Sequence, residues 1–189
     1  LNTQEIYDRP GVEGAFGVCS PPIRDAQTQE ALWRALSRGH LQVVSTDHCP
    51  FTRDEKESAL GDYTRIPGGV PSVEIRFPAI YSEGVRRNRL SLNQWVDVCC
   101  TTPARLAGFR HKGQIAIGYD ADIVIFDAQK TVTIAPGVLH ENVDWSPYEG
   151  RTFTGWPATT ISRGEIVVQN GEFKAEKGRG IYAERGYDS

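Results

Sequence analysis

Short apolar runs and a helical pattern alternate in the first part of the chain. Residues 14–19 and 41–45 are apolar runs of strand length, each bounded by residues that stop regular structure. Between Asp25, a suitable N-cap, and Gly39, a helix stop, the apolar residues recur on one face of a helix. The order strand, helix, strand predicts a βαβ unit, whose two strands run parallel.

The segment that follows the second run is polar and charged. Its sequence is RDEKE over residues 53–57, and it then reaches the glycine pair Gly68 and Gly69. A long charged loop after a strand is either disordered or a lid over a site. The glycine pair permits the backbone to approach a ligand closely, although a plain turn explains it equally well.

Helical patterns return in the next part of the chain. The spacing of apolar residues predicts one helix over residues 72–84. Ser91 and Gln94 have the S-x-x-Q spacing of a capping box, which predicts the start of a second helix. A threonine followed by a proline predicts a break in that helix and a new helical segment over residues 102–108.

Beyond residue 112 the pattern changes to short strands with glycine-containing turns. Isoleucine and valine alternate with polar residues, and Arg163-Gly164 and Asn170-Gly171 are suitable turn pairs. The pattern predicts an antiparallel sheet or a small sandwich with strands at residues 114–117, 122–127, 131–134, 159–162 and 165–169.

These patterns divide the chain into two parts with different character. Residues 1–110 have βα character, and residues 111–189 are mostly β. We therefore predict an α/β protein with a domain boundary near residue 110. The helices of the first part would cover the outside of a barrel whose strands are the apolar runs.

Composition narrows the class of protein. Charged residues make up 24% and hydrophobic residues 39% of the chain, and the formal net charge is −3. Nucleic acid is therefore not an expected partner, and no apolar run reaches the ~18 residues of a membrane span. We expect no membrane partner and a cytoplasmic protein. Because the chain lacks methionine and begins at Leu1, we also expect a fragment whose N-terminal part is missing.

The candidate chemistry lies where the second apolar run ends. Asp47, His48 and Cys49 follow the run 41–45 directly. In a parallel α/β barrel, catalytic residues stand at the carboxyl ends of strands. A carboxylate there can ligate a divalent metal and accept a proton from water. An aspartate at a strand end can also cap the following loop, so a purely structural role remains an alternative.

Several motifs together resemble a known family. The chain is similar to the dihydropyrimidinase and hydantoinase branch of the cyclic amidohydrolases, and the order and spacing of the motifs hold over nearly its whole length. The segment 112–122 is common to many amidohydrolases and identifies only the superfamily. The motifs that carry the resemblance are SPPIR at 20–24, STDHCPF at 45–51, IPGG at 66–69, KGQIAIGYDAD at 112–122, SPYEG at 146–150 and ISRGE at 161–165.

The resemblance implies a fold and a cofactor. Residues 1–110 would be the last part of a (β/α)8 TIM-type barrel, and residues 111–189 the C-terminal part of a small β-sandwich with the tail. The family carries two divalent metal ions, with zinc as the first expectation, and most of their ligands would lie upstream of Leu1. A solvated or structural role is the better interpretation of His40, His111 and His140.

The resemblance also implies the site residues. Asp47 would ligate one metal and serve as the general base in hydrolysis of a cyclic amide to an N-carbamoyl amino acid. Ser20 would hydrogen-bond the cyclic imide, and the backbone of Gly68, where many relatives have asparagine, would contact the same group. His48 would orient Asp47 without being a metal ligand itself.

Other functions remain open at this point. Allantoinase or dihydroorotase activity would keep the chemistry and change the ring, and the pair Gly68-Gly69 favours the former slightly. The collapsin response mediator proteins resemble the same branch but are assembly proteins without the metal ligands, and the presence of Asp47 argues against that class. A free-standing binding module ranks last, because a partial barrel exposes strand edges. The expected partners are a small cyclic imide or ureide substrate and, in the intact protein, further copies in a homotetramer.

Overall fold

The computed structural model describes residues 1–135 and 137–186. Single turns of 3-10 helix lie at Gln4–Asp8 and Tyr63–Arg65, and π-helical turns lie at Tyr81–Val85 and Asp97–Thr101. The α-helices are α1 (Val12–Ala15), α2 (Ala26–Ser37), α3 (Arg53–Glu57), α4 (Arg76–Ile80), α5 (Leu92–Val96) and α6 (Thr102–Leu106). The strands are β1 (Ile123–Thr133), β2 (Thr152–Ser162), β3 (Glu165–Gln169) and β4 (Glu172–Phe173).

A four-stranded sheet of order β1-β2-β3-β4 forms in the second part of the chain. β2 and β3 are antiparallel and join through Arg163 and Gly164, whose φ angles are 50° and 81°. β3 and β4 are antiparallel and join through Asn170 and Gly171, whose φ angles are 53° and 87°. Positive φ at both central residues is typical of type I′ hairpin turns. The predicted turns are therefore confirmed, as is antiparallel pairing of these strands.

The predicted strand boundaries are wrong in three places. The strands predicted at 122–127 and 131–134 are one continuous strand, β1, and β2 begins seven residues before the predicted 159–162. Residues 114–117 form no strand, and Ile117 is fully exposed. A strand needs a neighbour for its backbone groups, and residues 114–117 pair with none in the described part of the chain.

The βαβ unit predicted for the first part is also wrong in this structure. Helix α1 covers the start of the run 14–19, and residues 41–50 have no regular secondary structure. Their backbone groups bond to turns and loops, as when Val18 N donates to Ala15 O at 3.1 Å and Cys49 N donates to Val70 O at 3.3 Å. A run of apolar residues cannot form a strand when no adjacent strand supplies its hydrogen bonds.

The helix predicted between the two runs is confirmed as α2. Asp25 is its N-cap, and its Oδ1 accepts a hydrogen bond from Thr28 N at 2.7 Å. This bond satisfies one of the amide groups that the first helical turn leaves free. Gly39 follows the last turn with a φ angle of 74°, a conformation that glycine adopts without strain.

The charged segment 53–57 is a helix rather than a disordered loop, whereas a role as a lid stays a prediction. Thr52 caps α3, since its side chain accepts from Glu55 N while the Glu55 carboxylate accepts from Thr52 N at 2.6 Å. These two bonds make a capping box, which satisfies two free amide groups at once. Lys56, in the same helix, is fully buried.

The helix predicted from residue 72 begins four residues later, at Arg76. Ser72 N and Val73 N donate to the His48 ring at 3.0 and 3.2 Å, and Glu74 N donates to Glu141 Oε1 at 2.9 Å. Side chains from elsewhere in the chain therefore bind these amide groups before the helix starts. Pro78 lies in the first turn of α4, where its missing N–H costs nothing.

The break predicted at residue 102 is wrong, because the chain stays helical from α5 through α6. The capping box of Ser91 and Gln94 opens this region as predicted, with Gln94 N donating to Ser91 Oγ at 3.1 Å. The π-helical turn Asp97–Thr101 leads directly into α6. Pro103 cannot donate to the preceding turn, and a widened turn accommodates that loss without ending the helix.

The chain packs as two compact units. Unit 1 consists of Leu1–Leu41, Ser45–Ala79 and Thr133–Phe153, and unit 2 consists of Gln42–Val44, Ile80–Val132 and Thr154–Ser189. The domain boundary near residue 110 stays a prediction about the whole protein. Within the described ranges, no helix is long and apolar enough to cross a membrane.

Each unit has its own aromatic core. In unit 1, Phe16 stacks on Trp145 with ring centroids 4.2 Å apart. In unit 2, Tyr81, Trp95 and Phe126 form a cluster in which the ring centroids lie 4.8 to 5.0 Å apart. Tilted and edge-on contacts of this kind stabilise beyond the burial of apolar area.

Candidate functional site

Asp47 lies in unit 1, in the irregular segment after residue 44, and its side chain is exposed. Its φ angle is 48°, so it occupies the left-handed region that residues other than glycine rarely adopt. Aspartate tolerates this conformation better than most residues, and such positions are frequent at functional sites. The backbone thus presents the Asp47 side chain to solvent from a left-handed conformation.

Ser20 is exposed and belongs to a segment held by several side chains. Tyr7 Oη accepts a hydrogen bond from Ile23 N at 2.8 Å, and Cys19 Sγ donates to Pro21 O at 3.5 Å. Burial raises the pKa of the Cys19 thiol, and the nearby charge of Asp47 acts in the same direction.

The two glycines of the IPGG motif have different environments. A Cβ atom on Gly69 would lie 2.4 Å from Cys49 O, whereas a Cβ atom on Gly68 would meet nothing within 4 Å. Glycine is therefore required at position 69 by close contact with the segment that carries Asp47. Gly68 is exposed, and its backbone is open to a ligand.

Backbone hydrogen bonds join the three predicted site segments within unit 1. Gly69 N donates to Val18 O at 3.0 Å, and Cys49 N donates to Val70 O at 3.3 Å. The glycine loop thus lies between the segment before Ser20 and the segment after Asp47. The structure brings together the neighbourhoods of all three predicted site residues.

His48 anchors the chain beyond this loop. Its Nδ1 accepts hydrogen bonds from Ser72 N at 3.0 Å and from Val73 N at 3.2 Å. Two consecutive backbone N–H groups thus converge on one ring nitrogen, which acts as their acceptor. These bonds fix the backbone beside Asp47, while a direct orienting contact with the carboxylate stays a prediction.

Lys56 is a buried residue of this region that the sequence pattern did not indicate. Its Nζ donates to Val18 O at 2.9 Å and to Pro67 O at 2.6 Å. Burial lowers the pKa of the ammonium group, whereas the thiolate forms of the nearby Cys19 and Cys49 would act in the opposite direction. The T-x-x-E spacing at 52–55 is a helix signature that could have revealed α3, although not the burial of Lys56.

An open cavity of about 560 Å³ adjoins the Ser20 segment in unit 1. Cys19 and Pro22, which lie one residue before and two residues after Ser20, line it, together with Tyr7, Tyr63 and Ile66. Its lining is largely apolar with one tyrosine hydroxyl near the serine segment. Such a cavity suits an apolar substituent whose polar part lies outside.

The potential metal ligands of the described chain are dispersed. Within residues 1–135 and 137–186, no three His, Cys, Asp or Glu side chains are grouped so that they could hold a metal ion. His140 lies against Glu74, with Nδ1 at 2.8 Å from Oε1. A metal-ligating role for Asp47 stays a prediction.

Comparison with known proteins gives a family and close relatives. The profile of the amidohydrolase family matches residues 18–167. The D-hydantoinase of Streptomyces coelicolor is 46% identical over 187 residues, which are 98% of this chain and 40% of that protein. The D-hydantoinase of Geobacillus stearothermophilus is 44% identical over 184 residues, which are 96% of this chain and 39% of that protein.

Solved structures agree with these relatives. D-hydantoinase from Bacillus sp. AR9 matches with a TM-score of 0.93 and 48% identity, over 96% of this chain and 40% of the other. D-hydantoinase (dihydropyrimidinase) from Thermus sp. matches with a TM-score of 0.94 and 40% identity, over 98% of this chain and 41% of the other. This chain therefore spans about 40% of the length of the relatives that it matches.

Proposed function

Because the chain belongs to the amidohydrolase family, we propose that the whole protein hydrolyses the ring amide of hydantoins and dihydropyrimidines to N-carbamoyl amino acids. The observation that carries this proposal is the meeting of three segments in unit 1. Gly69 N donates to Val18 O, and Cys49 N donates to Val70 O. The glycine loop therefore brings the neighbourhoods of Ser20, Asp47 and Gly68 together. The D-hydantoinase relatives match the chain over nearly its whole length.

The predicted resemblance to the hydantoinase branch is confirmed by these relatives. The fold is α/β, and the family is one of TIM-barrel amidohydrolases. We propose that residues 1–110 contribute the last part of that barrel and residues 111–189 the C-terminal part of a β-sandwich. The exposed segment 114–117 supports the sandwich assignment, since a further part of a sandwich would bury its apolar side chains.

Asp47 is the proposed general base. The carboxylate is exposed, so it can accept a proton from the water that attacks the ring carbonyl carbon. The new bond joins the water oxygen to that carbon, and the ring C–N bond breaks. Asp47 then delivers the proton to the departing nitrogen, so the ring opens with no net change in charge.

Ser20 and Gly68 are the proposed substrate-binding residues. The Ser20 hydroxyl can donate to a ring carbonyl or accept from a ring N–H, because a hydroxyl does both. Gly68 contributes through its backbone alone, which its exposed position and open surroundings permit. Contacts to the two sides of one imide group would orient the ring against Asp47.

Asp47 is also the proposed ligand of a metal site. A carboxylate oxygen is a suitable ligand for a divalent cation, and Asp47 is exposed rather than engaged in the protein interior. Two divalent ions, when bound, would polarise the ring carbonyl and lower the pKa of water to ~7. Zinc as their identity, a homotetramer and a cytoplasmic location stay predictions.

The experiment measures turnover of hydantoin, dihydrouracil and allantoin by the metal-loaded whole protein. We expect hydrolysis of the first two rings, and we expect Asp47→Asn to lower kcat by about 10²-fold to 10⁴-fold, as loss of a general base does. Asp54→Asn is the matched control, because Asp54 is an exposed carboxylate of α3 outside the site, and it should leave kcat unchanged.

Two outcomes would contradict the proposal. Turnover of allantoin alone would assign the site to allantoinase chemistry. Equal activity of Asp47→Asn and the unsubstituted protein would remove Asp47 from the mechanism.

We further expect the isolated 189-residue chain to be inactive, because it supplies a single proposed metal ligand. Metal-dependent hydantoin hydrolysis by that chain would refute this expectation.

A further inference from the structure

We propose that Lys56 is a positioning residue, which holds the segments of Ser20 and Gly68 at a fixed separation so that both can contact one substrate ring. This inference rests on the proposed function for the identity of the ring. The contacts of Lys56 themselves stand independently of it.

The Lys56 ammonium group bridges the two segments directly. Nζ lies 2.9 Å from Val18 O and 2.6 Å from Pro67 O, so one cation donates to a carbonyl on each side. Val18 precedes Ser20 by two residues, and Pro67 immediately precedes Gly68. The position of each proposed substrate contact is therefore set within two residues by the same group.

Val18 O is a shared acceptor in this arrangement. It accepts from Lys56 Nζ and also from Gly69 N at 3.0 Å. The serine segment and the glycine loop are thus joined twice, once directly and once through the ammonium. A second connection restrains rotation of the loop about the first, which a single hydrogen bond cannot do.

A helix with several anchors places Lys56. The capping box of Thr52 and Glu55 starts α3, and Asp144 Oδ1 accepts from Arg53 N at 2.9 Å. Just before the helix, Trp145 Nε1 donates to Phe51 O at 2.7 Å. Because the start of this short helix is anchored in these ways, the lysine side chain begins from a fixed point.

The burial of Lys56 separates positioning from a direct catalytic role. The side chain is 0% exposed, and the rings of Phe51 and Trp145 lie 5.9 and 6.0 Å from Nζ. A buried cation is unfavourable unless hydrogen bonds and aromatic faces compensate its lost hydration. Here they do, and the group has no open path to a substrate.

The test compares Lys56→Met, Lys56→Gln and Lys56→Arg in the metal-loaded whole protein. Methionine keeps length and apolar volume but donates nothing, whereas glutamine keeps N–H donors without the charge. Lys177→Met is the matched control, since Lys177 is exposed in unit 2. The readouts are kcat and KM for hydantoin, metal content, and hydrogen exchange of the Gly69 amide.

We expect kcat/KM to fall by about 10-fold to 100-fold in Lys56→Met, as displacement of positioning groups by about 1 Å does. KM should rise, metal content should not change, and exchange at Gly69 should accelerate. Lys56→Gln should recover part of the loss, and Lys177→Met should match the unsubstituted protein.

A folded Lys56→Met protein with unchanged kcat/KM and unchanged exchange at Gly69 would overturn the inference. So would a fall in activity that only follows the folded fraction. If Lys56→Met does not fold, Lys56→Gln and Lys56→Arg decide by the same readouts. If the unsubstituted protein fails to hydrolyse hydantoin, the proposed function fails, whereas exchange at Gly69 still tests the bridging by Lys56.

Discussion

At the scale of single residues, closely packed atoms surround the predicted site. Gly69 touches the backbone of Cys49, and Lys56 joins two carbonyl groups in the interior. Asp47, by contrast, is exposed at a φ angle of 48°. The proposed general base is thus accessible, while the residues that surround it are closely packed.

The two glycines provide a matched pair for testing this confinement. Gly69→Ala should lower the free energy of unfolding by about 1–3 kcal/mol, because its Cβ would overlap Cys49 O and force the backbone apart. Gly68→Ala is the control, since its Cβ meets nothing within 4 Å. Urea unfolding measures both, and equal midpoints for the two variants would show that the close contact is not maintained in solution.

At the scale of secondary structure, capping residues marked the observed elements more reliably than apolar runs did. The caps at Asp25, Thr52 and Ser91 each start a helix in the structure. The apolar runs 14–19 and 41–45 form no strands in the described chain. A cap acts within four residues and depends on little else, whereas a strand depends on partners that lie far away in sequence.

The cap of α2 should respond to acid. The hydrogen bond from Thr28 N lowers the pKa of Asp25 below its ordinary value. A lowered pKa means that the stabilisation is present at neutral pH and is lost as the pH falls through the folded-state value. We expect the Thr28 amide resonance to titrate in that range in 1H–15N NMR spectra.

Asp25→Asn is the control for this titration. Asparagine is an equally good N-cap, but it does not ionise. Its Thr28 resonance should therefore stay constant over the same acid range. A titration that persists in Asp25→Asn would assign the effect to another group.

At the scale of the whole molecule, the unpaired apolar segments fit the proposal that other parts of a larger protein complete a barrel. Residues 41–50 are irregular, and Ile115 and Ile117 are 83% and 105% exposed. Apolar segments of strand composition that stay unpaired are expected where the rest of a sheet is supplied by other parts of a larger protein. The match to about 40% of each hydantoinase relative agrees with this explanation.

Hydrogen exchange can test whether partners complete these strands. We expect the amides of Val43 and Ser45 to exchange slowly in the whole protein and rapidly in the 189-residue chain, since adjacent barrel strands would bind them. The amides of Thr160 and Val168, paired in β2 and β3, should be protected in both. Equal, rapid exchange of Val43 and Ser45 in the two proteins would contradict the barrel assignment.

Short-range sequence patterns were sufficient to identify the starts of α2 and α5, the two hairpin turns and the family. The helix caps, the I′ turns at 163–164 and 170–171, and the motifs that carry the hydantoinase resemblance each span only a few residues, and a short pattern retains its meaning in any context. For the same reason, the amino-acid sequence alone identifies Asp47, Ser20 and Gly68 as candidates. Their roles stay predictions that the proposed experiments address.

Tertiary folding was needed to establish which groups meet. Nothing in the run RDEKE distinguishes Lys56 from its exposed neighbours, yet folding buries it against carbonyl groups 38 and 11 residues away. Likewise, the sequence pattern does not distinguish Gly68 from Gly69, and only contact with Cys49 separates them. The physical reason is that burial and close approach depend on segments distant along the chain, and their positions exist only after folding.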